Sequence, residues 1–294
     1  MCFASSSDDL RFTVPLTWQT ARFTIDLAAR PRVMGIVNAT PDSFSDGGHH
    51  AAASQARAQC DRLLAEGADI LDIGGESTRP GSQPPPLEIE LERVLPVIRH
   101  AVTLGVPVSV DTSRPEVMAA ALDAGADIVN DVRALQQSGA LAAIAAHPSA
   151  GVCLMHMQGE PATMQQAPQY EDVVAELAVF LAERLKQATD AGIAAERIVL
   201  DPGYGFGKSL EHNLTLFRQQ AQLLALGRPL LVGWSRKGTL GQLTGRPVDQ
   251  RMPASVGAAL AAVAHGARIV RVHDVAATVD ALKVWNAAGL GAVA

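Results

Sequence analysis

The stretch AEGADILDI at residues 65–73 returns as DAGADIVND at 123–131 and as AHGARIVRV at 264–272, with a looser copy, DAGIAAERIVLDP, at 190–202. Each copy reads as the end of a helix, a glycine, and then an apolar run rich in β-branched residues. Glycine suits the left-handed position that closes a helix, where a Cβ would be strained. An uninterrupted Ile/Val/Leu run suits a parallel strand covered on both faces. The repeated unit is therefore helix, turn, strand. Further apolar runs fill the intervals: VMGIVN (33–38), VPVSVDT (106–112), GVCLMHM (151–157) and PLLVGWS (229–235). The total comes to about eight strands, the number that closes a parallel barrel. Alanine-rich helical segments separate them, at 51–66, 114–124, 138–147, 171–191, 210–226 and 253–265. This alternation predicts an α/β fold, a (β/α)8 TIM barrel in a single domain. The open doubly wound sheet is the alternative. No composition shift marks a second domain. Residues 31–290 are expected to form the barrel. Residues 1–30 are an N-terminal extension in which RFTVPLTW and ARFTIDL are expected to pair as a hairpin covering one barrel end.

Composition narrows the function classes. The chain has 294 residues, 48% hydrophobic and 18% charged, which supplies enough apolar surface for a core of that size. Net charge is −6, with no Lys/Arg run and no aromatic-basic stripe, so nucleic acid is not an expected partner. The three cysteines, Cys2, Cys60 and Cys153, form no CxxC and no even framework, which fits a reducing, cytoplasmic setting without disulfides. The N-terminal MCFASSSDDLRF lacks the basic and apolar regions of a secretory signal. No uncharged apolar run reaches the roughly 18 residues of a membrane helix, so no membrane association is expected.

Polar residues gather where the apolar runs end. Asp111 closes VSVD, Asn130 sits in IVND, Met155 and His156 follow VCL, Asp201 closes IVLD, Ser235 and Lys237 lie in GWSRK, and Arg271 and His273 lie in VRVHD. In a barrel these are the C-terminal ends of strands, the face where loops converge on the active site. Asp111, Asn130 and Asp201 interrupt apolar strands, and a buried carboxylate is costly unless paired or hydrogen-bonded. The structural alternative is helix capping, best argued for Asp111 in DTSRPEV, or internal ion pairs. The functional reading is recognition of a ring edge with adjacent N–H donors, such as an amino-pyrimidinone. Arg271 and His273 alternate with Val and so share a face, which suits an anion such as phosphate; the alternative is an ion pair with Asp274 or another carboxylate. Asn38 offers an amide oxygen to a hard cation. Ser235 and Lys237 suit a carboxylate or phosphate, while Arg236 reads as solvated loop charge. DPGYGFGKS fails as a P-loop because Pro202 stands where the first glycine belongs, and GWSRK fails as a nucleophile elbow. The histidines show no zinc spacing.

These motifs, in order, resemble a known family. MGIVNATPDSFSDGG (34–48), DIGGESTRPG (72–81), VSVDTSRPEV (108–117), LMHMQG (154–159), LDPGYGFGK (200–208), GWSRKG (233–238) and RVHDV (271–275) are similar to dihydropteroate synthases. The resemblance implies a transferase of folate synthesis that joins p-aminobenzoate to 6-hydroxymethyl-7,8-dihydropterin diphosphate, gives 7,8-dihydropteroate and pyrophosphate, and is the target of sulfonamides. It implies pterin contacts by Asp111, Asn130, Met155, Asp201, Phe206 and Lys237. It implies a diphosphate pocket of Asn38, Arg271 and His273, with Asn38 also a Mg²⁺ ligand. It implies a p-aminobenzoate site closed by Phe44 and Asp46 of a first loop and Thr78, Arg79 and Pro80 of a second, with Ser235 near the acceptor carboxylate. It further implies a homodimer. Gly238-Thr239 and Tyr204 depart from the residues more common in the family. Two rivals share the pocket: a pterin-binding methyltransferase barrel, which has no reason to keep STRPG beside SRK, and a pterin-binding paralogue without turnover, which would have lost Lys237, Arg271 or the first loop.

Overall fold

The structure, a computed structural model, describes residues 16–40, 48–77 and 81–290, the side chains of 48–51 excepted. A short antiparallel hairpin comes first, β1 (Thr17–Gln19) with β2 (Thr24–Asp26). Eight parallel strands follow: β3 (Arg32–Asn38), β4 (Ile70–Gly74), β5 (Val108–Asp111), β6 (Ile128–Asp131), β7 (Gly151–Met155), β8 (Ile198–Asp201), β9 (Leu230–Val232) and β10 (Ala267–Val272). They pair in chain order, and β10 closes on β3, so the sheet is a barrel and the open-sheet alternative is excluded. Helices cover the outside: α1 (Gly48–Ala65), α2 (Leu87–Ala101), α3 (Pro115–Asp123), α4 (Ala140–Ala146), α5 (Val173–Asp190), α6 (Leu210–Arg218), α7 (Gly238–Thr244), α8 (Met252–Ala264) and α9 (Val275–Ala287). The expected segment 210–226 is divided: α6 ends at Arg218 and Gln220–Leu226 continues as a 3₁₀ helix.

The repeat behaves as its composition requires. Gly67, Gly125, Gly192 and Gly266 all take positive φ, between 90° and 99°. Each lets the chain leave a helix and turn directly into the next strand.

Strand parity divides the barrel interior into two tiers. Met34, Ile70, Ile128, Cys153, Val199, Leu231 and Ile269 pack together as an apolar lower tier. Two residues further along the strand the side chain again points inward, and there stand Ile36, Asp72, Asn130, Met155, Asp201 and Arg271, with Asp111 on β5; just past β9 the equivalent place is Gly233, which brings no side chain. The intervening residues, such as Val37, Leu71, Val110 and Val129, face outward into the main core against the helices.

The hairpin covers the end of the barrel opposite the loops that follow the strands. Trp18, Ile25 and Leu27 join the lower tier, and the Trp18 indole N–H donates to the Arg197 carbonyl at 2.9 Å. Arg22 binds the Asp127 carboxylate at 2.6 and 2.8 Å, just before β6. The paired strands are shorter than the sequence suggests, and residues 11–15 of RFTVPLTW lie outside the described range.

Candidate active site

At the C-terminal mouth of the barrel a cleft of about 1610 Å³ opens. Asn38, Asp111, Asn130, Met155, Asp201, Phe206, Ser235, Lys237, Arg271 and His273 all border it. Ten positions spread from residue 38 to 273 thus converge on one space. Phe44, Asp46, Thr78, Arg79 and Pro80, expected to form the acceptor loops, lie outside the described residues.

The floor is a network of charge. The Arg271 guanidinium donates from Nε to Asp72 Oδ2 at 2.6 Å and from Nη2 to Asp111 Oδ2 at 2.6 Å. Asn130 Nδ2 donates to the same Asp72 oxygen at 3.2 Å. Asp111 therefore caps no helix; the N-terminus of α3 is at Arg114, and Asp111 meets Arg271 instead. The ion-pair alternative for Arg271 holds with other partners than Asp274, whose carboxylate pairs with Arg236 at 2.5 Å. Arg236, read from sequence as solvated loop charge, is thereby fixed, with positive φ and its backbone N–H on Ser255 Oγ.

Burial pushes the Asp111 carboxyl up to about 7; Arg271 opposes the rise, and Asp72, Glu76 and Asp131 add to it. Arg271 is itself raised, since Asp72 and Asp111 outweigh the burial that would lower it. The two directions belong together. One guanidinium shared by two carboxylates remains fully charged, yet leaves one negative charge uncompensated, so the proton is held more tightly at Asp111.

The far wall comes from β8 and β9. Asp201 Oδ1 accepts the Gly203 N–H at 2.7 Å, and burial raises this carboxyl, with Lys237 the largest opposing influence. Lys237 donates to the Tyr204 carbonyl, and its ammonium lies 4.6 Å from the centre of the Phe206 ring. Burial pulls Lys237 down to about 8, against the pull of Asp201. Ser235 Oγ accepts the His273 backbone N–H at 3.1 Å and lies 3.0 Å from His273 Nδ1, so these two expected ligands form one unit. The loop shape depends on close backbone approach: a Cβ on Gly203, at φ +65°, would lie 1.9 Å from the His156 carbonyl oxygen.

Sequence reading assigned no role to Asp72 or Lys208. Asp72 is fully buried at the centre of the network. Lys208, also buried, donates to the Gly203 and Phe206 carbonyls at 3.0 and 3.1 Å and meets His156 Nδ1 at 2.9 Å. Burial and then Lys208 push His156 down to about 2, so its imidazole is neutral and accepts. Lys208 thus ties the loop after β8 to that after β7. Its place in GFGK gave only the rejected P-loop match.

A closed barrel whose mouth holds a carboxylate and amide floor together with basic side chains defines the class of pterin-binding barrel enzymes, and the sequence model of pterin-binding enzymes matches residues 34–273. Among proteins of known function, the dihydropteroate synthase of Neisseria meningitidis serogroup B is 54% identical over 279 residues, covering 93% of this chain and 98% of the relative. Among solved structures, Xanthomonas albilineans dihydropteroate synthase with 4-aminobenzoic acid is 54% identical, with TM-score 0.85 and coverage of 90% and 95% of the two chains. The Burkholderia cenocepacia enzyme complexed with 7,8-dihydropteroate is 50% identical, with TM-score 0.85 and coverage of 94% and 97%. The chain belongs to the dihydropteroate synthase family.

Proposed function

We infer that this chain condenses p-aminobenzoate with 6-hydroxymethyl-7,8-dihydropterin diphosphate, a transferase reaction that forms a C–N bond and yields 7,8-dihydropteroate and pyrophosphate. The observation that carries the reading is the convergence of acceptors and cations on one cleft: Asp111, Asn130 and Asp201 line the same space as Lys237, Arg271 and His273. Acceptors match the N–H donors of a pterin edge, and cations match a diphosphate.

In this reading Asp111, Asn130 and Asp201 grip the pterin edge. Met155 and Phe206 supply apolar walls, and Lys237 contacts the ring. Arg271 and His273 bind the diphosphate and stabilise negative charge as the methylene C–O bond breaks. The electron pair leaves with pyrophosphate. The aniline nitrogen of p-aminobenzoate attacks the methylene carbon and gives up a proton, a step that needs position more than a strong base. Phe44, Asp46, Thr78, Arg79, Pro80 and Ser235 would form the acceptor site.

The donor set fits Mg²⁺ held mainly by substrate. Asn38 brings one amide to the cleft, and the described residues contain no cluster of three His, Cys, Asp or Glu able to hold a metal. Mg²⁺ keeps several waters and takes phosphate oxygens, so a single protein oxygen is sufficient company. When bound it would neutralise charge on the leaving diphosphate.

The wider reading treats residues 31–290 as the catalytic unit and 1–30 as its extension, in a cytoplasmic homodimer. Buried, unpaired Cys60 and Cys153 suit a reducing compartment, no helix among the described residues is long and apolar enough to cross a membrane, and Val284, 70% exposed on α9, is apolar surface available to a partner copy. The purified chain with Mg²⁺ is expected to release pyrophosphate only when both substrates are present. Pyrophosphate release that ignores p-aminobenzoate, or no dihydropteroate at all, refutes the assignment.

A further inference from the structure

We propose that Asp72 is a positioning residue of the pterin site, setting the amide of Asn130 so that its oxygen faces substrate donors and holding the Arg271 guanidinium across the barrel mouth. The proposal rests on the pterin reading above.

Two other carboxylates on equivalent stretches show what a purely structural aspartate looks like in this barrel. Asp69, just before β4, accepts the Val33 backbone N–H at 2.9 Å and pairs with Arg30 and Arg32. Asp127, before β6, accepts the Val108 N–H at 2.8 Å and pairs with Arg22. Both stitch strands to one another and to the N-terminal segment. Asp72 stitches nothing of that kind. Among the described residues its hydrogen bonds go only to Arg271 and Asn130, both through Oδ2, and its fully buried Oδ1 has no partner. Burying a carboxylate with one unsatisfied oxygen is a cost to the fold. The return is found in the two side chains it holds.

For Asn130 the consequence is orientation. With Nδ2 donating to Asp72 at 3.2 Å, the reversed amide would bring Oδ1 against a carboxylate oxygen at the same distance. Asp72 therefore dictates which end of the amide is the acceptor, something an isolated asparagine leaves open. Together with Asp111 and Asp201, Asn130 Oδ1 then makes an acceptor set complementary to a donor edge. For Arg271 the consequence is rigidity. Asp72 takes Nε–H and Asp111 takes one Nη2–H, so the fork is held from two strands while three N–H donors remain for an anion.

The test is calorimetric titration with 6-hydroxymethylpterin diphosphate, alongside steady-state kinetics. Asp72→Ala is expected to weaken pterin diphosphate binding about 10- to 100-fold, the scale of losing charge-assisted hydrogen bonds and an oriented acceptor. The KM for p-aminobenzoate at saturating pterin diphosphate should move by less than about twofold, because acceptor contacts are untouched. Asp72→Asn keeps an oxygen where Oδ2 stands and should recover part of the loss. In an Asn130→Ala background, Asp72→Ala should cost markedly less than in the unmodified chain, since one of its two dependents is already gone. Urea melts check folding; if Asp72→Ala does not fold, Asp72→Leu, with the same branching and no polar atom to bury, carries the same test. Undiminished binding by the folded Asp72 variant, or equal losses in both backgrounds, overturns the positioning role. If the unmodified chain fails to bind pterin diphosphate, the pterin reading falls and this inference falls with it; tight binding by the unmodified chain makes the two failures distinguishable.

Discussion

Acidifying the solution from about pH 7.5 to about pH 6 should weaken pterin binding roughly eightfold and turn binding into a proton-releasing event. The perturbation acts on Asp111. Burial holds its carboxyl near 7 in the ligand-free site, with Arg271 opposing and Asp72, Glu76 and Asp131 adding to the rise. An acceptor for pterin N–H groups must be ionised, and only the ionised fraction is competent. That fraction is about three-quarters at pH 7.5 and about a tenth at pH 6, and apparent affinity scales with it. Ligand donors favour the carboxylate, so binding lowers the Asp111 pKa and expels the proton: about 0.9 per site at pH 6, about a quarter at pH 7.5. The bare pterin 6-hydroxymethylpterin is the right probe, because a diphosphate brings its own ionisation into the range. Lys237, lowered to about 8 by burial, stays mostly charged across the window and leaves the trend to Asp111. Calorimetry in two buffers of different ionisation enthalpy counts the protons, and Asp111→Asn should flatten both the affinity and the proton count. Flat affinity between these pH values, with heats independent of buffer, would refute the chain of reasoning. The sign for stability runs the opposite way. The folded chain keeps a proton that the unfolded chain gives up near 3.8, so this group stabilises the ligand-free fold at low pH and the contribution is lost as pH rises through about 7.

Two further perturbations separate scaffold from site. Trp18→Ala removes the fully buried indole that plugs the lower tier and its bond to the Arg197 carbonyl; it should lower unfolding free energy by about 3–5 kcal/mol in urea titrations while pterin affinity of the folded fraction stays the same. Gly203→Ala should do the reverse of a silent loop change: its Cβ would meet the His156 carbonyl oxygen at 1.9 Å, so the loop must shift, the Gly203 N–H is withdrawn from Asp201, and pterin affinity should fall at least about tenfold, as calorimetry would show.

Strand number, closure and the mouthward gathering of polar residues were readable because they follow from local pattern: a glycine, a buried run, a polar end. The hairpin plug was readable for the same reason, since Trp18 and Ile25 needed an apolar surface to cover. The Arg271 pairing was harder, because Asp72 precedes it by 199 positions and nothing local joins them. Yet a signal was present in the repeat itself. Counting five residues from the glycine of each close copy reaches Asp72 from Gly67, Asn130 from Gly125 and Arg271 from Gly266. Three copies of one unit occupy equivalent places in a symmetric barrel, so residues at the same offset face the same interior tier. Among those three, Asp72 bonds both of the others. The second position after the glycine tells a complementary story: Asp69 and Asp127 serve the opposite end of the barrel, where they bind Arg30, Arg32 and Arg22. The Lys208 contacts had no such signal, because they depend on how two irregular loops meet.

The same offset explains why the barrel carries a site and not simply a core. Interior tiers of an eight-stranded barrel take four side chains from alternate strands, usually Val, Ile or Leu. Here the lower tier obeys, with Ile70, Ile128, Val199 and Ile269 from β4, β6, β8 and β10. One tier higher the same four strands present Asp72, Asn130, Asp201 and Arg271. Filling that tier with aliphatic residues would remove the desolvation cost that raises Asp201 and the unsatisfied oxygen of Asp72. The fold tolerates the cost because the tier below and the helices around it are apolar and closed. A ring with several N–H donors can settle on such a tier only because no apolar side chain fills it, and the negative excess of the tier favours donors over acceptors. Stability is thus concentrated at the hairpin-covered end and recognition at the open end of one continuous set of strands, which is why Trp18→Ala and Asp72→Ala are expected to separate folding from binding.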